Sequence, residues 1–274
     1  MIFRVLFLIF VFLPWHIIFV PVQFVITRLR LPGWHAIPRW FHRLGTIFLG
    51  LRVTVMGNPS HGRPTLIVSN HISWTDIIAI GSVADVTFVA KQEVKNWFFV
   101  GFMASLQRSV FVDRNRRTDA RRTTTEMANI MAEGEAVLLF AEGQSDVGTH
   151  VLPFRSALVG AAQQAMVEAG AKDVMIQPLA IAYTRLQGLP VGRTDRNLIA
   201  WIKGKSFKEN IREILNGGMK EVTVAFGEPK PLAAGADRKV VTKQAENEVR
   251  AMLVALNRGE QVPRPKAVIP AAAE

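Results

Sequence analysis

The chain has 274 residues, with 33 Lys and Arg against 22 Asp and Glu, a formal net charge of +11 at pH 7. The length is ample to bury the core of one large or two small domains, and 49% hydrophobic against 20% charged residues excludes an intrinsically disordered chain and argues against an ordinary nucleic-acid-binding domain. The absence of cysteine excludes disulfides, thiolate metal sites and a cysteine nucleophile, so any chemistry falls to His, Asp, Glu, Ser and backbone.

Basic and apolar together point to a membrane surface, and the apolar residues are concentrated at the start. Met1 to Thr27 reads MIFRVLFLIFVFLPWHIIFVPVQFVIT, with Arg4 its only charge. From Val5 onward the run is long enough to cross a bilayer, which takes about 20 apolar residues. Pro14 and Pro21 predict a kinked helix, and His16 and Gln23 place polar groups at mid-depth, so a half-inserted anchor is an equal alternative to a span. No small-residue cleavage site follows the apolar core, which sets a signal peptide aside. Arg28, Arg30, Arg39 and Arg43, beside Trp34 and Trp40, suit anionic headgroups and an interfacial aromatic belt, which predicts a main domain on the cytoplasmic face of the inner membrane. A second apolar piece, Trp40 to Leu51, is either a helix lying beside the first on the membrane or a core helix. Residues 1–50 are therefore expected to anchor a domain over 51–258.

After Gly57, apolar runs alternate with helical patterns. Strands are predicted at Leu51 to Met56, Thr65 to Ser69, Val86 to Ala90, Val110 to Val112, Ala136 to Phe140, Met175 to Tyr183 and Val222 to Phe226. Helices are predicted at Trp74 to Gly81, Val94 to Leu106, Thr118 to Ala132, Ala157 to Ala169, Lys208 to Leu215 and Arg238 to Asn257. The alternation predicts an α/β fold, a mixed β-sheet covered by helices. The Pro- and Ala-rich tail from Gly259 is expected to be disordered.

The segment after the second predicted strand, Ser69-Asn70-His71-Ile72-Ser73-Trp74-Thr75-Asp76, carries the first chemical signal. On a continuous helix His71 and Asp76 would point about 140° apart, so they meet only if a turn intervenes, with Asp76 in the first turn of the following helix. Asp76 would then fix the imidazole tautomer and leave the other nitrogen as a base. These are two members of a triad without its protein serine, which makes a substrate hydroxyl the nucleophile. Taken alone, the spacing is equally that of a satisfied polar pair at a helix start.

Two further segments narrow the choice. The strand Val110 to Val112 ends in Asp113-Arg114, and the strand Ala136 to Phe140 runs into Ala141-Glu142-Gly143-Gln144-Ser145, where Gly143 lets a ligand approach the backbone. With Ile176-Gln177-Pro178-Leu179-Ala180-Ile181 these four blocks resemble, in order and spacing, the glycerolipid acyltransferase family typified by the 1-acylglycerol-3-phosphate (lysophosphatidate) acyltransferases. That family's pattern is N-H-x4-D, a strand ending in Asp-Arg, F-P-E-G-T-R, and a strand with a central proline. The resemblance implies membrane helices at the N-terminus, no cofactor and no metal. It also implies that His71, held by Asp76, deprotonates an acceptor hydroxyl, which attacks the thioester of an acyl carrier protein or coenzyme A. Arg114 would match the arginine that holds an anionic headgroup, and Glu142 with Gly143 would shape the acceptor site. A backbone N–H near the helix start after His71 is a candidate for the oxyanion.

One departure bears on substrate. Ser145 stands where the family pattern has arginine, and serine cannot replace the bidentate contact of a guanidinium with phosphate. The run Glu142 to Gly148, with Val151 to Leu158, resembles the subgroup acylating lyso-ornithine lipid. Its headgroup is zwitterionic, so Asp146 would meet an ammonium, whereas Arg155 offers a positive charge to a lysophosphatidate acceptor. Arg114, Arg116, Arg117, Arg121 and Arg122 suit an acidic acyl carrier protein, an anionic bilayer, or only solvent.

Other motifs are set aside. Gly204-Lys205-Ser206 lacks the first glycine of a phosphate loop, and Gly143-Gln144-Ser145-Asp146-Val147 lacks the second glycine of a nucleophile elbow. No nucleic-acid-binding module is present. A non-catalytic membrane-tethering protein is the alternative from a different class, and it would not account for four blocks in order.

Overall fold

The computed structural model describes residues 2–112, 117–157, 159–160, 163, 174–233 and 235–262, residues 117–124 by their backbone alone. The elements in order are α1 (Ile2–Phe7), a π-helical turn (Leu8–Phe12), α2 (Leu13–Arg28), α3 (Ala36–Leu49), β1 (Leu51–Met56), β2 (Thr65–Ser69), α4 (Thr75–Gly81), β3 (Val86–Lys91), α5 (Gln92–Lys95), α6 (Phe98–Leu106), β4 (Val110–Val112), α7 (Arg117–Ala132) and β5 (Ala136–Phe140). After them come β6 (Met175–Leu186), β7 (Leu189–Pro190), α8 (Arg196–Ile199), α9 (Phe207–Asn216), β8 (Lys220–Phe226), β9 (Lys230–Pro231) and α10 (Arg238–Arg258).

The strands form one mixed sheet in the order β1-β8-β6-β2-β5-β3-β4, with β7 and β9 pairing with β6. From β6 to β4 neighbours run parallel, and the β6–β8 pair is antiparallel. Parallel strands covered on both faces read as continuous apolar runs, which is why β2 and β5 were legible without alternation. Successive residues go to opposite faces: Leu66 and Val68 pack with Val137, Leu139, Met131, Val249 and Leu253, while Ile67 packs with Leu138, Ile80, Ile181 and Ile214. The predicted α/β fold is borne out, each predicted strand is present, and β6 runs on to Leu186.

The N-terminal helix is continuous from Ile2 to Arg28 through both prolines, with one distorted turn. Pro14 has no N–H to give, and the turn before it widens to π geometry, with Leu13 N–H bonding to Leu8 O. The predicted helix Val94 to Leu106 is instead two short helices, α5 and α6. Their turn sets Gly101 against the Lys95 carbonyl, where an added Cβ would lie 2.1 Å from that oxygen. Trp34 is not an interfacial residue: it is buried, and its Nε1 donates to Glu135 Oε1 at 2.8 Å. Arg39 also turns inward, its Nε donating to Asp85 Oδ1 at 2.9 Å; Arg43 Nε donates to the Ser82 carbonyl at 3.2 Å, but its side chain is exposed, as are Arg28, Arg30 and Trp40. Most of the predicted helix Ala157 to Ala169, and the tail from 263, lie outside the described residues.

Helix α3 reconciles its two alternatives. One face, with His42, Gly45, Thr46 and Leu49, is buried on the domain, where Gly45 and Gly81 allow close contact with Ile78 and His42. Its Phe41 and Phe48 meet Phe12 of the first helix at ring separations of 5.7 and 5.9 Å.

Candidate active site

Strand pairing builds the site. In the parallel β2–β5 pair Ser69 sits opposite Phe140, and Ala141 N–H bonds to Ser69 O at 3.0 Å. Two residues beyond that pair, His71 and Glu142 emerge side by side at the carboxyl ends of adjacent strands, the usual place for a ligand crevice in such sheets. On the other side of β2, Asn70 is stitched to β6: its Nδ2 donates to Ile181 O at 3.0 Å and its Oδ1 accepts from Ile181 N–H at 2.9 Å.

The turn between β2 and α4 brings His71 and Asp76 together, with Nδ1 of His71 2.8 Å from Asp76 Oδ2. The same oxygen accepts from the N–H groups of Ile72 at 2.7 Å and Ser73 at 3.0 Å, which closes the turn around a fully buried carboxylate. Its other oxygen accepts from the Tyr183 hydroxyl at 2.9 Å, and that hydroxyl lies 2.6 Å from Thr75 Oγ1. Burial pushes the Tyr183 phenol well above its ordinary range, so it serves as a neutral donor. With Nδ1–H directed at a carboxylate, Nε2 is the unprotonated nitrogen, and the ring lies nearly parallel to Phe140 at 4.0 Å. The imidazole keeps 17% of its side-chain surface open to solvent. A neutral imidazole with a carboxylate behind it and a free nitrogen in front can take a proton from a hydroxyl.

Glu142 faces inward. Its Oε2 accepts from His71 N–H at 2.8 Å and its Oε1 from Leu152 N–H at 2.8 Å, so it ties the histidine turn to the loop over 142–155. Burial raises its carboxyl to about 8, against the two N–H bonds that favour the charged form. Gly143 takes φ +75, a conformation that favours glycine, in the turn that sends this loop back over the site. Asp146 N–H donates to His71 O at 2.9 Å, placing Asp146 beside the histidine. Its Oδ2 is buried without a hydrogen-bond partner among the described residues, and His150 Nε2 is 3.8 Å away. Ser145 Oγ donates to the Trp201 carbonyl. Arg155 is exposed, with its Nε 3.3 Å from the Glu142 carbonyl, so its charge stands at the rim of the same loop. Arg114 and Arg116 lie outside the described residues, as do the side chains of Arg117, Arg121 and Arg122.

The structure therefore gathers His71, Asp76, Glu142, Gly143, Ser145, Asp146 and Arg155 into one neighbourhood. It also narrows the candidates for the expected oxyanion donor, because the Ile72 and Ser73 N–H groups already serve Asp76. Sequence reasoning missed Tyr183, although a single tyrosine in the whole chain, late in the proline-bearing strand, was a visible signal. It also missed Gly148, whose added Cβ would lie 2.5 Å from Ile72 Cδ1, and Trp201, whose N–H donates to Ile72 O at 3.0 Å. Tyr183→Phe is expected to cost about 1.5–3 kcal/mol of stability, the usual worth of a buried hydrogen bond to a charged group. As Tyr183 positions Asp76 rather than touching substrate, kcat should fall severalfold with KM unchanged; thermal unfolding and steady-state kinetics check both.

Comparison with known proteins extends this geometry to a family. Residues 51–182 match the family model described as Acyltransferase, an interval that holds His71, Asp76, Glu142, Ser145, Asp146 and Arg155 and ends one residue before Tyr183. Over 89% of this chain and 91% of the relative, the sequence is 42% identical to a lyso-ornithine lipid O-acyltransferase of Brucella abortus. It is 38% identical to that of Rhizobium meliloti over 86% and 81%. A 1-acyl-sn-glycerol-3-phosphate acyltransferase of Neisseria gonorrhoeae is 36% identical over 43% of this chain and 45% of its own. The crystal structure of the 1-acyl-sn-glycerophosphate acyltransferase from Thermotoga maritima superposes with a TM-score of 0.63 at 22% identity, covering 88% of this chain and 90% of that one, which shows a shared fold. The full-length likeness at 42% identity and the fold agree, and the chain belongs to the acyltransferase family and is an acyltransferase.

Proposed function

We propose that this chain is a membrane-bound O-acyltransferase that moves a fatty acyl group from an acyl carrier protein thioester to the free hydroxyl of lyso-ornithine lipid. His71 Nε2 takes the hydroxyl proton as the oxygen attacks the thioester carbon. The C–S bond breaks, an ester C–O bond forms, and the imidazolium returns its proton to the departing thiolate. Asp76 stabilises the imidazolium and keeps it oriented. Glu142 positions the backbone of His71.

The observation that carries the choice of acceptor is the 142–155 loop. It has serine where a phosphate-binding arginine stands in the family pattern, and beside His71 it holds a buried carboxylate oxygen of Asp146 with no hydrogen-bond partner among the described residues and with His150 Nε2 3.8 Å away. That oxygen suits an ammonium and repels a phosphate. Relatives named for lyso-ornithine lipid match nearly the whole chain, in keeping with this choice. The arginines over 114–122 suit an acidic acyl carrier protein as donor.

The second reading, acylation of lysophosphatidate, is favoured by the exposed Arg155 guanidinium on the same loop. Purified enzyme offered both acceptors with labelled acyl carrier protein is expected to use lyso-ornithine lipid faster, with Asp146→Asn raising KM for that acceptor by about tenfold, the scale of one lost charged contact. Faster turnover of lysophosphatidate would overturn this assignment.

The N-terminal helix supports a one-leaflet anchor. Its 27 residues would extend about 40 Å. Near one end Arg4 bonds to the Leu215 carbonyl, and near the other Gln23 Nε2 and Thr27 Oγ1 donate to Leu106 O at 2.9 and 3.1 Å. A helix tied near both ends to the same domain lies along it, which leaves Ile2, Phe3, Phe10 and Ile17 exposed and free to enter lipid. Exposed Arg28 and Arg30 suit anionic headgroups of the cytoplasmic leaflet.

A further inference from the structure

The N-terminal helix is not the only apolar surface without a cover among the described residues. Helix α6, FFVGFMASL, contains no charged residue. Gly101, Met103 and Leu106 are buried, while Phe98 is 97% exposed, Phe99 54% and Phe102 46%. A phenylalanine that hydrates almost its whole ring at the tip of a fixed turn is unfavourable in water and unneeded for the core. The turn before it is not loose: Trp97, at the α6 N-cap, packs against Phe207 and Trp201 at 4.9 and 6.0 Å.

This patch continues the surface of the first helix. The Gln23 and Thr27 bonds to Leu106 O fix the far end of α6 against α2, and the Phe99 ring lies 6.0 Å from His16, next to the exposed Ile17. At the base of the corner Lys91 and Lys95 are exposed, with Glu93 between them. Lys95 Nζ lies 5.6 Å from the Phe111 ring centroid, a cation–π contact that holds this charge at the base of the corner, where anionic headgroups would meet it.

We propose that the corner between α5 and α6, led by Phe98, inserts into the same lipid leaflet as the N-terminal helix, giving the domain a second membrane contact about 80 residues along the chain. This rests on the reading of the N-terminal helix as a membrane anchor. A lipid surface suits the patch better than an acidic carrier protein, because the exposed Phe98, Phe99 and Phe102 give a carrier's carboxylates no partner on α6 itself and leave them only Lys91 and Lys95 at its base. It also suits it better than a second copy, because the apolar surface runs on without a border into a 27-residue helix. The corner reaches the reaction: Trp97 touches Trp201, whose N–H donates to Ile72 O beside His71 at 3.0 Å. Insertion therefore sets the height of the active site over the leaflet that holds a lipid acceptor.

The chain has no cysteine, so one introduced thiol is a unique label on the intact protein. Phe98→Cys, Ile9→Cys on the anchor and Lys239→Cys on the exposed side of α10 would each carry an environment-sensitive fluorophore. Each is mixed with phosphatidylglycerol and phosphatidylethanolamine vesicles containing nitroxide-labelled acyl chains. Quenching at 98 comparable with that at 9, and none at 239, is the expected result. Quenching at 9 with position 98 as open to water as 239 refutes the corner insertion and leaves the anchor standing. Quenching at neither position refutes the anchor as well. A change at 98 that follows protein concentration instead of lipid assigns the patch to self-association and overturns the proposal. In an activity arm, Phe98→Asp should lower turnover of vesicle-borne acceptor roughly tenfold, the scale of one aromatic side chain withdrawn from an apolar medium, and leave a dispersed short-chain acceptor unaffected. Equal loss on both acceptors would also refute it.

Discussion

His71→Ala is expected to lower turnover by about three to four orders of magnitude, the loss seen when a general base is removed from a preorganised site. The variant should stay folded. Asp76 keeps three of its four donors, the N–H groups of Ile72 and Ser73 and the Tyr183 hydroxyl. The lost ring leaves space above Phe140 that is already open to solvent. Membrane binding should not change, because no bond of the N-terminal helix involves His71. The decisive measurement is single-turnover acyl transfer at saturating donor, with thermal unfolding as the control. Activity within tenfold of the native enzyme would remove His71 from the chemistry and leave the four sequence blocks without a base.

The second large effect is expected at Asp76, and for a different reason. Asp76→Asn keeps the shape and removes the charge on which four donors converge. An asparagine that turns its amide towards His71 donates to Nδ1, which moves the ring proton to Nε2 and leaves no base facing the acceptor. Turnover should fall by about two to four orders of magnitude. Since a buried amide N–H would also face donors, stability should drop by about 2–4 kcal/mol. The two effects separate on cooling: at a temperature where the variant is folded, turnover remains low if the tautomer is the cause, and recovers if unfolding is. A recovered rate would reduce Asp76 to a structural residue.

How much of this was legible beforehand follows from the range of the interactions. His71 and Asp76 are five residues apart and share one turn, so the required geometry was deducible from spacing alone. The strands were legible because central strands buried on both faces are uninterrupted apolar runs. The break between α5 and α6 was not, since the apolar pattern over 94–106 is the same for one helix or two, and the turn is set by packing Gly101 against the Lys95 carbonyl. The fate of the anchor arginines was equally hidden. Arg39 finds Asp85 and Arg43 finds the Ser82 carbonyl, partners that are chain-distant. Glu142 was singled out by its block, but its function as a clamp between His71 and Leu152 exists only because Ser69 pairs with Phe140.

By itself, the sequence determined the apolar start, the order of the strands, the absence of cysteine and the serine at 145 where the family pattern has arginine. These are properties of residue type and near-neighbour spacing, which the chain carries whether or not it is folded. The tertiary structure alone decided which carboxylate stands behind the histidine and which holds its backbone, that Tyr183 completes the shell of Asp76, and that the first helix lies along the domain beside an exposed Phe98. Those facts depend on contacts between residues tens to hundreds of positions apart, and such contacts come into being only when the parallel strands are in register and the helices have closed over them.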